Sequence, residues 1–213
     1  AAMPIPSRAT YRLVAGGFTA LCVAVQYGLL VHGEGGANAV ALSIEFFSFF
    51  TILTNIIAAL ALLLPVLAPR SAAAAFLLQP TVRTAIAGYM IMVGVVYYLL
   101  LLGVSGRQGW SLFFEHLLHV ATPPLFVLDW LAFVDKRTVD WRVGLRALGY
   151  PLAYVGYTLV RGAATGWYPY PFLDVADLGY ARVALNIGAL VGAYILLVAV
   201  MAAIGRRLSP IAE

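Results

Sequence analysis

The chain has 213 residues, of which 63% are hydrophobic and only 10% charged, with a net charge of +4. About a quarter of the residues in an average soluble domain are charged, so too few ionic groups are present here to coat a soluble globule. The same composition excludes a disordered chain and a nucleic-acid-binding arm, and the single cysteine, Cys22, excludes a disulfide scaffold.

A bilayer-spanning helix needs about 20 apolar residues. Apolar windows run over 11–31, 42–65, 84–103, 111–133, 144–163 and 180–204. They predict an all-α polytopic membrane protein, with six transmembrane helices in one bundle that makes a single domain over 1–213. The Ala pair ahead of Met3 reads as an added remnant. The first window lacks a cleavage pattern and reads as a retained span. Basic residues orient the bundle. Arg8, Arg12, Arg70, Arg83, Lys136, Arg137, Arg142, Arg146, Arg206 and Arg207 fall on one side, and Arg107, Arg161 and Arg182 on the other. Both termini are therefore expected in the cytoplasm, and the basic balance reports topology and not a nucleic-acid partner.

In chain order, the first window holds Gln26 and ends at His32, which is expected to be solvated. The second enters from the outside and carries Glu45, Ser48, Thr51, Thr54 and Asn55. Glu45, Ser48, Thr51 and Asn55 recur at helical spacing on one face, while 56–64 is aliphatic. The Ala-rich stretch 71–76 reads as an interfacial connector. The third window ends in Tyr97 and Tyr98. The fourth, also entering from the outside, places Glu115, His119, Thr122, Phe126 and Asp129 on one face, with His116 to the side. At 1.5 Å per residue, Thr51 lies about 13 Å past Leu42 and His119 about 12 Å past Ser111. A hydroxyl and an imidazole at matching depth suggest a nucleophile and its base. Pro123 and Pro124 remove the amides that would bond the His119 and Val120 carbonyls, so a kink is expected there. Asp129 is placed to pair with the cations of the following loop. The fifth window carries a stripe of Tyr150, Tyr154, Tyr157 and Arg161, and the sixth begins with Tyr180, Arg182 and Asn186. Between them 166–174 forms an aromatic, proline-stiffened loop, suited to a lid or an interfacial anchor.

The six-window plan, the segment FFSFFTILTN over 46–55 and the segment HLLHVATP over 116–123 resemble the androgen-induced family of six-helix membrane threonine hydrolases. The likeness is closer to a bacterial branch that shares the YPYPFLD loop, here 168–174. The resemblance implies an intramembrane hydrolase of fatty acid esters of hydroxy fatty acids, with Thr51 as nucleophile and His119 as base. Thr54 and His116 rank second for those roles. Where animal members usually carry Asn, this chain has Glu115. The resemblance also implies a lipid or fatty acyl ester as substrate and no cofactor. It places the site in the extracytoplasmic half of a bacterial cell membrane. On this reading Glu115 orients His119, with His116 beside it, and Asn55 or a tyrosine supplies an oxyanion donor. Ser48, Tyr157 and Asn186 contact substrate, and Arg161 and Arg182 hold its carboxylate.

Two other classes fit the same residues. One is a transporter or lipid-binding protein using Glu45, Glu115, Arg161 and Arg182 as a charged path. The other is a zinc-dependent lipid hydrolase with His32, His116, His119 and Glu115 as ligands. The sequence sets no oligomeric state.

Overall fold

A computed structural model describes residues 7–33 and 38–208. The Ala pair read above as an added remnant lies outside the described residues. Among the described residues every element is helical and there is no strand. The helices are α1 (Arg8–Gly33), α2 (Ala39–Phe46), α3 (Phe50–Leu67), α4 (Ala72–Leu77), α5 (Pro80–Val96), α6 (Gly109–His116), α7 (Thr122–Phe133), α8 (Arg142–Arg146), α9 (Gly149–Thr165) and α10 (Val175–Gly205). A π-helical turn, Tyr97–Leu101, extends α5, and a second, Leu117–Ala121, joins α6 to α7.

Among the described residues five segments are long and apolar enough to cross a membrane: Arg8–Gly33, Phe50–Leu67, Pro80–Leu101, Gly109–Phe133 and Val175–Gly205. A bilayer solvates such faces, and helices satisfy their backbone groups internally. The fifth window, 144–163, does not form one long span. Pro151 has no amide for the Ala147 carbonyl and its ring crowds that oxygen, so the window divides into α8 and the 17-residue α9. The Tyr89 hydroxyl donates to the Ala147 carbonyl instead.

The second window is also divided. The chain leaves helical geometry over 47–49, between α2 and α3. Tyrosines of α9 hold this break. Tyr154 donates to the Ser48 carbonyl at 2.9 Å, Tyr157 and Ser48 hydroxyls meet at 2.7 Å, and Tyr150 and Thr54 hydroxyls meet at 3.0 Å. The fifth-window stripe is thus turned onto the break before α3. Ala-rich 71–76 is the short helix α4, capped by Ser71, whose hydroxyl accepts from the Ala74 amide.

The core lies between α1, α3, α5 and α7, with Leu62, Met90, Phe126 and Trp130 buried together. Close approach of α1 to α3 requires Gly16, where a Cβ would stand 2.8 Å from the Leu63 side chain. At the end of the bundle away from the α2–α3 break, Asp129 is fully buried. It pairs with Arg12 of α1 at 2.7 Å and with Arg83 of α5. Two of the loop cations expected to pair with it make other hydrogen bonds and ion pairs. Lys136 donates to the Trp130, Leu131 and Val134 carbonyls and caps α7, and Arg137 pairs with Asp135.

Candidate functional site

Thr51 is the second residue of α3, immediately after the break at 47–49. The first amides of a helix have no carbonyl one turn back. A Ser or Asp at the preceding position normally supplies a capping oxygen, but here that position is Phe49, which has none. Tyr170, from the loop after α9, supplies the missing acceptor, and its hydroxyl accepts from the Thr51 amide at 3.2 Å. The same phenol lies 3.3 Å from Thr51 Oγ1.

His119 lies in the π-helical turn Leu117–Ala121. Its Nδ1 is 2.7 Å from the Glu115 carbonyl oxygen, which can only accept, so Nδ1 carries the ring hydrogen. Nε2 of the neutral ring is then an acceptor, and it faces Thr51 Oγ1 at 3.1 Å. The Thr51 hydroxyl therefore donates to His119, and the Tyr170 hydroxyl donates to Thr51. The residues brought to one depth by helical spacing meet directly.

The other expected site residues are placed as follows. Asn55 is fully buried and donates to the Thr51 carbonyl at 2.9 Å and to the Leu118 carbonyl at 3.1 Å. Its own oxygen accepts from Thr122 at 2.5 Å. Both amide hydrogens are thus committed, and Asn55 ties the Thr51 helix to the His119 turn. The Glu115 carboxylate pairs with Arg107 at 3.0 Å, and it is the backbone carbonyl of Glu115 that holds the His119 ring. His116 repeats the pattern of His119. Its Nδ1 binds the Leu112 carbonyl at 2.8 Å and its Nε2 faces the Tyr97 hydroxyl at 3.4 Å. Ser48 and Tyr157 form the clamp described above. Arg161 stacks on Trp167, 4.3 Å from the ring centre, Arg182 is exposed on α10, and Asn186 donates to the Phe172 carbonyl at 2.9 Å. None of these last three lines the cavity beside His119.

That cavity, of about 330 Å³, reaches Thr51 and His119 at its floor. Arg107, Glu115, Gln26 and the loop residues Trp167 and Tyr168 form its upper wall. With the Gln26 amide turned to satisfy both ends, its oxygen accepts from Arg107 at 2.7 Å and its nitrogen donates to the Ser111 carbonyl at 3.1 Å. A second cleft, of about 120 Å³ and lined by apolar groups almost throughout, lies between α5, α9 and α10. Thr51 and Tyr170 border both spaces.

Three contributors were outside the sequence reading of the site. Tyr97 stacks on the His119 ring, with centres 4.0 Å apart and planes at 19°. Arg107 is the cation of the cavity wall. Tyr170 is the third partner of Thr51, and its only sequence signal was membership of the aromatic loop. Burial pushes the Tyr170 phenol above its ordinary value, which keeps it a neutral donor. Among the described residues no three His, Cys, Asp or Glu side chains come together in a group suited to a metal ion. His32 is exposed at the end of α1, so the ligand set of the zinc reading is not assembled.

In chemical terms the arrangement can move a proton from a buried threonine hydroxyl to a neutral imidazole. Two donors, the Thr51 amide and the Tyr170 hydroxyl, stand beside that oxygen. The chain matches no protein-family model, no curated protein and no solved structure.

Proposed function

We propose that the protein is an intramembrane lipid-ester hydrolase, a six-span bundle in which the 17-residue α9 is the sixth span, with both termini in the cytoplasm and its site in the extracytoplasmic half. The observation that carries this reading is the 3.1 Å contact between Thr51 Oγ1 and His119 Nε2 at the floor of a cavity. A threonine hydroxyl is a weak nucleophile until a positioned base takes its proton.

In the proposed reaction Thr51 Oγ1 attacks the ester carbonyl carbon, and its proton passes to His119 Nε2. The Thr51 amide and Tyr170 hydroxyl turn to the developing oxyanion, and the positive end of α3 adds to that field. The carbon–oxygen bond to the alcohol then breaks, and His119 returns the proton to the departing alkoxide. Water, deprotonated by His119, attacks the acyl-threonine, and the carboxylic acid leaves as Thr51 regains its hydrogen. The substrate class is fatty acid esters of hydroxy fatty acids, whose free carboxylate meets Arg107 on the cavity wall. Arg107 replaces Arg161 and Arg182 in that role, because it is the cation at the cavity. Glu115 holds His119 through its carbonyl and holds Arg107 through its carboxylate.

The test is hydrolysis of branched fatty acid esters by the purified protein. Thr51→Ala and His119→Ala are each expected to lower kcat/KM by about a thousandfold or more. A fluorophosphonate probe is expected to label the wild type and not Thr51→Ala. Hydrolysis or labelling surviving in Thr51→Ala would reject the mechanism. A lipid-binding protein without turnover is the second reading, favoured by the apolar cleft beside Thr51. Tight fatty acid binding with no hydrolysis by the wild type would select it.

A further inference from the structure

The two spaces that meet at Thr51 differ in chemistry. One has Arg107, Glu115 and Gln26 in its wall, and the other is apolar throughout except where Thr51 and tyrosine hydroxyls touch it. A lipid ester has the same division, with an alkyl chain on one side of the carbonyl carbon. We propose that the cleft between α5, α9 and α10 binds the segment of that acyl chain next to the carbonyl, the rest of the chain passing back into the bilayer through the gap between α9 and α10. Tyr89 and Tyr194 close its inner end and turn the chain toward that gap. This rests on the hydrolase reading and deepens it.

Three observations support the occupant. First, the cleft runs to Thr51, so a chain lying in it places its own carbonyl carbon at the hydroxyl. Second, the rim is open on the lipid-facing side: Leu152 of α9 borders the cleft and is 47% exposed, with Leu190 and Val191 of α10 opposite. Each methylene moved from hydrocarbon into water is disfavoured about fourfold in partition. A chain passing from bilayer to cleft avoids that transfer, whereas one passing through the polar cavity does not. Third, the inner end is built of stacked rings. Tyr89 and Tyr194 lie 5.1 Å apart at 17°, and Gly88 permits the contact, since a Cβ there would meet the Tyr194 ring at 3.1 Å.

Two measurements test it. The first is the ratio of kcat/KM for hexadecanoyl and butanoyl esters of 4-nitrophenol, which cancels changes common to both. Leu152→Trp and Leu190→Trp are expected to lower that ratio by about tenfold or more by narrowing the rim. Val160→Trp, on an α9 residue that is 72% exposed and borders neither space, is expected to leave the ratio unchanged. A ratio unaltered by both rim variants, or shifted equally by Val160→Trp, would overturn the proposal. The second uses palmitic acid with a diazirine at mid-chain and needs no turnover, so it is read in Thr51→Ala. Label is expected on α9 and α10 residues of the cleft and is expected to fall in Leu152→Trp. Label confined to the residues around Arg107, or unaffected by Leu152→Trp, would sink the cleft assignment even if Thr51 proved to be the nucleophile. Correct cleft labelling with no ester hydrolysis would instead remove the hydrolase and leave the chain site.

Discussion

At the scale of single residues, the arrangement depends on how three polar groups share few hydrogens. The carbonyl of Glu115 fixes the hydrogen on His119 Nδ1, so the other ring nitrogen is left to accept from Thr51. That fixes Tyr170 as donor to Thr51 and as acceptor from its amide. Tyr170→Phe removes both contacts while keeping the ring. Loss of a helix cap costs about 0.5 to 2 kcal/mol, so a modest fall in unfolding midpoint is expected. The larger effect is expected on turnover: about a hundredfold lower kcat with little change in KM, as for loss of one oxyanion donor. A Tyr170→Phe enzyme with unchanged kcat would remove the phenol from the mechanism. The pH dependence has a definite sign. The folded state raises this phenol above 10.0, so its neutral form is favoured and its contribution is complete below that pH. Stability from Tyr170 is then lost only as the pH climbs above 10.0. A rate that declined between neutrality and about pH 9 would have to come from another group.

At the scale of elements, interruptions and not helices place the chemistry. The break at 47–49 puts Thr51 in a first turn, and the π-helical turn Leu117–Ala121 swings His119 toward it. Pro123 leaves the His119 carbonyl without its usual amide. Gly94 of α5 packs against that oxygen, where a Cβ would come within 3.1 Å. Gly94→Ala must therefore push the His119 turn away. About 1 to 3 kcal/mol of destabilisation is expected from overpacking, with kcat falling further than the stability loss explains. Equal activity and a lengthened Thr51–His119 contact together would argue against the dyad. The depth match in the sequence assumed an unbroken helical rise through 42–51, and the two residues still meet because only three residues, 47–49, leave helical geometry. The break and the π-helical turn were not legible there, because hydropathy runs uninterrupted through FFSFF and LLHVA while the backbone changes. Arg107 and Tyr170 escaped for a related reason: connector residues have no period, and only packing brings them to the cavity. The partners of Asp129 were sought among loop cations close in sequence, whereas helix packing delivers Arg12 and Arg83 from other spans.

At the scale of the whole molecule, the site occupies one end of the bundle and a buried charge cluster occupies the other. Asp129 of α7 joins Arg12 of α1 to Arg83 of α5, and Arg83 also donates to the Ala61 carbonyl of α3 at 2.9 Å. Four long helices are thereby pinned, so the cluster holds the frame in which Thr51 and His119 meet. Its charge is unbalanced, with two guanidinium groups against one carboxylate. Asp129→Asn would strand both cations where water cannot reach, and breaking a buried pair in this way costs about 3 to 5 kcal/mol. A large drop in unfolding midpoint is expected, while turnover per site, counted by fluorophosphonate labelling of the folded fraction, stays near the wild-type value. The sign of the second step distinguishes charge from packing. Adding Arg12→Met to Asp129→Asn removes one stranded cation and leaves Arg83 with its carbonyl partner, so the double variant is expected to be more stable than Asp129→Asn alone. If Arg12 instead acts mainly by packing, the second substitution lowers the midpoint again. Recovery in the double variant would show that an unpaired buried charge, and not a lost contact, is what the carboxylate prevents.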